Sequence, residues 1–265
     1  MLSWNVEEER CRIYDKMSAC MECHGIDLEK FYNNPSYFGR GAMGSVIPWK
    51  GRHPSLVHWP LIGYAGGVAL RDALTGCTRS IESIAGGECL QWVKPENWHS
   101  TVFSPVHSSN PEVIAAVKTD FADSARVEAL AAQPYVLTFT RLIVTDDGGF
   151  VAAGYANNVQ LDSLRERLLQ SLLSDYARDG IHPRYEIRLP DKIHITLGHL
   201  VKPVERHVED QLTGFARQFR DDGTVLGQLS VDFLTYAMYH APFLEMRIEE
   251  IFRCQLGAPA VPSRP

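Results

Sequence analysis

The sequence has no run of apolar residues approaching the roughly 18 that a membrane-spanning helix needs. Its mildest stretch, Leu56 to Leu70, is broken by His58, Pro60 and three glycines, so no membrane partner is expected. It is poor in cysteine: six among 265 residues are too sparse for a disulfide scaffold, and free thiols are expected. Positive charge is not in excess, since 26 Lys and Arg face 32 Asp and Glu, for a formal charge of −6. Duplex DNA is therefore not an expected partner, whereas a nucleotide or an RNA end needs only a local cluster of donors. Met1 to Glu9 lacks both the basic and the apolar region of a secretory signal, so a cytoplasmic location is expected. What the chain does have, 45% hydrophobic and 22% charged residues, is the make-up of an enzyme-sized globule and excludes disorder, collagen and coiled coil.

Two local patterns invite a cofactor reading that their surroundings do not support. Cys20-Met21-Glu22-Cys23-His24 matches the C-x-x-C-H pattern of covalent haem attachment. Such attachment normally takes place in exported proteins, zinc would need a second ligand pair, and Ile13, Met17, Cys20 and His24 have the spacing of one helix face. Thiols on a helix, with neither haem nor zinc, are the expectation. Gly39-Arg40-Gly41-Ala42-Met43-Gly44-Ser45-Val46 fits a phosphate-cradling glycine loop. No H-R-D or D-F-G tripeptide accompanies it, and Asn33 to Tyr37 is turn material, so a plain loop is expected.

Periodicity predicts a helix over about 5–30, ending near Gly25 or soon after, then a loop-rich stretch to about Gly67. Strands are expected at Leu90 to Val93 and His99 to Phe103, and a helix from Pro111 to Ala132. Tyr135 to Thr145 and Phe150 to Tyr155 alternate around Asp146-Asp147-Gly148-Gly149 as a hairpin. Leu161, Leu164, Leu168 and Leu172 mark a helix over Gln160 to Arg178. A strand over Ile193 to Leu197, a helix over Val204 to Phe219 and strands near Val225 to Tyr239 and Phe243 to Cys254 complete an α+β domain whose halves echo one another. The expected division is 1–65, an N-terminal helix and loop-rich extension; 66–256, the main domain; and 257–265, a loose tail.

His99-Ser100-Thr101-Val102 and His194-Ile195-Thr196-Leu197 share the pattern His-x-Thr-hydrophobic on predicted strands. Side chains alternate in a strand, so each His and Thr project together while the residues between them point into the core. An imidazole can move a proton near neutral pH, and a threonine hydroxyl can hold a non-bridging phosphate oxygen without adding charge. Composition alone yields about one His-x-Ser/Thr, and His107-Ser108-Ser109 is such an accident. The two Thr-bearing copies differ from it in strand context, in their apolar opposite faces and in lying in corresponding halves. Strand histidines satisfied by neighbours are the alternative.

Around these motifs the chain resembles the two-histidine (2H) phosphoesterases, which include 2′,5′ RNA ligase-like proteins and cyclic phosphodiesterases. Glu96-Asn97-Trp98-His99-Ser100-Thr101-Val102-Phe103 and Lys192-Ile193-His194-Ile195-Thr196-Leu197-Gly198-His199-Leu200 carry the resemblance, which covers about residues 66 to 256. It implies a bilobal α+β fold, two antiparallel sheets with pseudo-twofold symmetry flanking a central cleft, with helices outside. It also implies metal-independent phosphodiester chemistry without a cofactor, His99 and His194 being catalytic and Thr101 and Thr196 binding the phosphate.

On a 2′,3′-cyclic phosphate, one neutral histidine would deprotonate water and the other, as imidazolium, would protonate the departing ribose oxygen, with His194 favoured as base. The same acid and base serve 2′,5′ ligation or a cyclising RNA cleavage, and a non-catalytic nucleotide-binding domain is a further alternative. Phe103, Tyr236 and Tyr239 are candidates for stacking on a base, each with core packing as its alternative reading. His199 and Lys192 flank the second motif and carry no assigned role. The partner is a nucleotide or RNA end, a monomer is expected, and cyclic mononucleotide, ADP-ribose cyclic phosphate, RNA end and cyclic oligonucleotide all remain open.

Overall fold

The computed structural model describes residues 3–32, 38–40, 46–48, 57–58, 61–104, 107–108, 122–178, 191–221, 224–240 and 248–257. In chain order, the strands of the first half are β1 (Phe38–Arg40), β2 (Val46–Pro48), β3 (Val57–His58), β4 (Leu61–Tyr64), β5 (Leu90–Trp92), β6 (His99–Phe103) and β7 (His107–Ser108). The second half supplies β8 (Tyr135–Val144), β9 (Gly149–Ala156), β10 (His194–Leu200), β11 (Gly227–Val231), β12 (Phe233–His240) and β13 (Glu249–Gln255). The helices are α1 (Ser3–His24), α2 (Leu28–Tyr32), α3 (Val68–Ala85), α4 through 122–131, α5 (Gln160–Arg178) and α6 (Arg206–Asp221). Among the described residues no helix is long and apolar enough to cross a membrane.

β1 and β2 form a small hairpin, and the other eleven strands are hydrogen-bonded into one antiparallel sheet. Its order is β11-β8-β9-β10-β6-β4-β12-β3-β7, with β13 on β12 and β5 on β10. The fold is therefore α+β as expected, but the two sheets foreseen are joined through β10 and β6 by one register pair, Ile195 with Ser100. Leu61 to Tyr64 pairs directly with β6, so the sheet begins before the expected boundary at residue 66. The stretch read as loop to Gly67 thus supplies four strands, each too short to show alternation.

One face of the sheet carries the main core. Leu137, Phe139, Phe150, Ala152, Ile195 and Leu197 pack there with Leu161, Leu164, Leu168 and Leu172 of α5 and Leu212 of α6. α3 buries Leu70, Leu74, Cys77 and Ile81 on the same side, a helix that Gly66-Gly67 and the Thr- and Gly-containing 75–78 stretch hide from propensity. In β8 a bulge at Thr140 reverses the alternation, which lets Leu142 and Val144 continue the face begun by Leu137 and Phe139.

The opposite face holds a second cluster, Tyr14, Ile143, Val151 and Ala153, flanked by Ile13, Met17 and Tyr155. Here α1 lies on β8 and β9. It is fixed by Arg10 to Asp162, by Arg141 Nη1 to Asp15 at 2.6 Å, and at its far end by Arg217 Nη2 to Glu22 at 2.9 Å. β11 pairs with β8 only over Tyr135 to Phe139, and α1 covers the part of β8 beyond. α1 buries Arg10, Tyr14 and Met21; of the residues whose spacing marks one helix face, Ile13, Met17 and Cys20 are half-buried and His24 is exposed. Gly25, at φ +75°, ends the helix with its N–H on Met21 C=O at 2.8 Å.

The run expected from Val225 to Tyr239 is two strands, broken at Asp232. The predicted helix start at Pro111, the strand start at Phe243, the centre of the glycine loop and the tail from Ala258 lie outside the described residues.

Candidate active site

Both His-x-Thr strands alternate as the sequence implies. On β6, His99 and Thr101 are half-buried while Ser100 and Val102 are buried; on β10, His194 and Thr196 are half-buried while Ile195 and Leu197 are buried. The register pair Ile195 with Ser100 fixes the rest. Counting outward along antiparallel strands, His194 faces Thr101 and Thr196 faces His99 on the same side. The two imidazoles lie on one diagonal of this square and the two hydroxyls on the other, at diagonal spacings of roughly 7 Å between backbones.

Each strand breaks its alternation just after its threonine. β6 pairs Thr101 with Ile62 but Phe103 with Leu61, so Val102 is an extra residue; β10 pairs Thr196 with Val151 but Gly198 with Phe150, so Leu197 is one too. A bulge turns the following side chain to the other face. Phe103, expected beside His99, is consequently 0% exposed in the main core. Tyr236 is also 0% exposed. Neither ring has a face open to a base, which corrects the stacking assignment for both. Tyr239 is placed on β12 opposite His58, and its side chain lies outside the described residues.

An aromatic that the sequence reading passed over does share the motif face. Tyr64 of β4 pairs with His99 and is half-buried beside it; burial, aided by the Glu250 carboxylate, pushes its hydroxyl up to about 12.

The turn before β6 orients His99. Pro95–Asn97 forms a 3-10 turn, Trp98 anchors beneath it at 2% exposure, and His99 Nδ1 lies 2.7 Å from Asn97 C=O. A carbonyl only accepts, so Nδ1 carries the proton and Nε2 is the acceptor nitrogen of the neutral ring. Burial pulls the His99 imidazole below its ordinary value, with the Asn97 bond opposing. His194 is pushed down to about 4, first by burial and then by the positive Lys192, His99 and Arg165, with Asp191 opposing. Both rings therefore favour the neutral state.

The spacing of the two strands is held by a residue that motif reading missed. Arg165 of α5 is 2% exposed and donates from Nε to Val102 C=O at 2.9 Å, and from Nη2 to Thr101 C=O at 3.3 Å and Lys192 C=O at 3.0 Å. One guanidinium thus ties β6 to the residue two before His194. Its sequence signal is an arginine inside the stripe Leu161, Leu164, Leu168, Leu172, at a position facing the core. Burial pulls it down to about 10, which leaves it charged at neutral pH.

His199 belongs to another place. It is buried under the β8–β9 turn, where a Cβ on Gly149 would come within 2.9 Å of its ring, and burial pushes it down to about 4 against the pull of Asp147. Cys20, the first thiol of the haem-like pattern, donates to Asp146 at 3.1 Å, and Cys23 is exposed. Among the described residues no group of three or more His, Cys, Asp or Glu could hold a metal ion.

No family model and no curated protein matches the chain. Among solved structures, TT0787 of Thermus thermophilus aligns at a TM-score of 0.50 and 13% identity, over 76% of this chain and 98% of that one. LigT of E. coli in its apo form aligns at 0.46 and 14% identity, over 77% and 100%. A protein described as a phosphoesterase aligns at 0.47 and 14%, again over 77% and 100%. The likeness is one of fold.

Proposed function

We propose, for a chain whose fold is that of the two-histidine phosphoesterases, that it is a phosphodiesterase acting on a cyclic phosphate or 2′-linked phosphodiester of a nucleotide or RNA end. The observation that carries this reading is the crossed arrangement of two imidazoles and two hydroxyls on one face of the β6–β10 seam. Such a square grips one phosphate from four sides, with a proton acceptor and a proton donor at opposite corners as in-line displacement needs.

On a 2′,3′-cyclic phosphate, neutral His194 takes a proton from water as the water oxygen bonds to phosphorus. The bond from phosphorus to one ribose oxygen breaks, and His99, entering as imidazolium, gives its Nε2 proton to that oxygen. The product is a phosphate monoester with a free ribose hydroxyl, and the two rings re-equilibrate their protons with solvent. Thr101 and Thr196 donate to the non-bridging oxygens. Burial and then Lys192 keep His194 neutral, the form a general base needs, and the negative phosphate between the rings favours the imidazolium that His99 must become. Tyr64, on the same face, is the aromatic placed to meet a base.

The test is hydrolysis of 2′,3′-cyclic nucleotides in EDTA by the wild type, His99→Ala and His194→Ala. Turnover is expected in the wild type, with a loss of about 10²- to 10⁴-fold in each variant. Turnover within tenfold of wild type in either variant, or none in any of the three proteins, overturns the reading. Product analysis on a short RNA with a defined terminus separates hydrolysis from 2′,5′ joining and from cyclising cleavage.

A further inference from the structure

Tyr14 of α1 is 0% exposed, and its hydroxyl stands inside the β9–β10 ladder. The ladder reaches the pair His194 with Ala153. One step further, Gly154 N–H donates to Ile193 C=O at 2.9 Å, as in any antiparallel pair. The reciprocal bond is replaced. Ile193 N–H donates to Tyr14 Oη at 2.9 Å, and that oxygen lies 2.9 Å from both the Gly154 and the Ile193 carbonyl oxygens. Ile193 C=O already has the Gly154 donor, so the phenol proton on Gly154 C=O satisfies every group.

The phenol therefore takes the place of one rung and holds the Ile193 N–H a hydroxyl's width from the Gly154 carbonyl, immediately before His194. Its ring is locked among Ile143, Val151 and Ala153 and makes an edge contact with Tyr155 at 5.6 Å between centroids. Ala153 and Val151 are the ladder neighbours of His194 and Thr196, so α1 lies on the face that carries the motif side chains. The preceding carbonyl, that of Lys192, is held by Arg165. The main chain entering His194 is thus fixed at two consecutive residues by side chains from two helices.

We propose that Tyr14 is a positioning residue for His194, which makes the N-terminal helix a working part of the active site. Its kinetic arm rests on the phosphodiesterase reading; its spectroscopic arm does not. Removing the hydroxyl lets Ile193 N–H close onto Gly154 C=O, which turns the backbone before His194. The charged and titratable groups that act on His194 are Lys192, His99, Arg165 and Asp191.

In Tyr14→Phe, kcat on a 2′,3′-cyclic nucleotide should fall about 10- to 100-fold with KM within about twofold, the scale of a misplaced reacting group. In histidine-selective NMR without substrate, the His194 resonance and titration midpoint should move while the resonances of exposed His24 and His207 stay in position. Asp15→Ala, which removes the neighbouring ion pair to Arg141 and leaves the hydroxyl, is the control for loosened docking of α1. If Asp15→Ala moves His194 as much as Tyr14→Phe does, or if Tyr14→Phe leaves kcat and the His194 titration at wild-type values, the proposal is overturned. Should Tyr14→Phe fail to fold, the wild type decides: a slowly exchanging phenolic proton with a cross-peak to the Ile193 amide supports the inserted hydroxyl, and its absence rules it out. Wild-type protein that turns over no cyclic phosphate, yet shows the His194 shift in Tyr14→Phe, overturns the phosphodiesterase reading and leaves the positioning role standing.

Discussion

Arg165→Met tests how the cleft keeps its width. The guanidinium satisfies the carbonyls of Thr101, Val102 and Lys192, and methionine fills most of its volume while donating nothing. Losing these three hydrogen bonds, one buried and two partly buried, costs on the order of 3 kcal/mol at about 1 kcal/mol each. Relief of a buried charge works in the other direction, since the depression of Arg165 to about 10 means that burial opposes its ionisation. Asp162 keeps its bond to Arg10, so no unpaired carboxylate is added. The net expectation is a loss of roughly 1–3 kcal/mol, or about 3–10 °C in Tm for a chain of this size. Activity should fall further than stability, because only Ile195 and Ser100 pair β10 with β6 and the strands can separate once the clamp is gone. A drop of about 10- to 100-fold in kcat/KM at a temperature where the variant is fully folded is expected. Arg165→Lys should recover stability in part and activity little, since one ammonium cannot span both strands. Thermal unfolding by circular dichroism and steady-state hydrolysis provide the readouts. An unchanged Tm together with kcat/KM within twofold of wild type refutes the clamp.

The pH profile of kcat/KM should be a bell displaced to the acid side: the limb set by His194 as base falls near pH 4, and the limb set by His99 as acid falls below pH 6.5. A profile flat from pH 5 to 9 contradicts paired-histidine chemistry. The same depressed values have a stability counterpart, because a histidine buried neutral adds stability that is present above about pH 6.5 and lost as pH falls toward the folded-state value near 4. Urea midpoints should thus decline across that window and more shallowly in His199→Gln, with equal slopes counting against it. Gly198→Ala places a Cβ 2.5 Å from both Gln91 C=O and the Trp92 ring, so β5 must move away. A loss of about 1–3 kcal/mol in urea unfolding is expected, and an unchanged midpoint shows that β5 yields freely.

The faces of His99, Thr101, His194 and Thr196 were legible because period-two alternation is a local property. The position of Phe103 was not, because a bulge at Val102 is a relation between two strands and leaves no mark on one of them. Tyr64 was hidden for a similar reason: Leu61 to Tyr64 is too short to display a period, and only its pairing with β6 puts it beside His99. Arg165 and Tyr14 act on main-chain groups, which every residue possesses, so no motif announces them. Their one trace is a polar group at a core-facing helix position, Arg165 within the leucines of α5 and Tyr14 one turn after the buried Arg10 of α1. The two sheets foreseen are joined at a single pair of residues, a link no composition or pattern encodes.

A ladder transmits register: a shift anywhere along it is felt by every strand it joins. Between β10 and β6 that transmission is reduced to one pair of residues, so displacement in either wing is largely dissipated before it reaches the other. The wings can accordingly drift in sequence, lengthen their loops or retilt their helices on separate schedules. The distance across the gap then rests on side chains more than on main-chain pairing. A guanidinium from α5 spans that gap, while a phenol from α1 spaces β10 from β9 beside it.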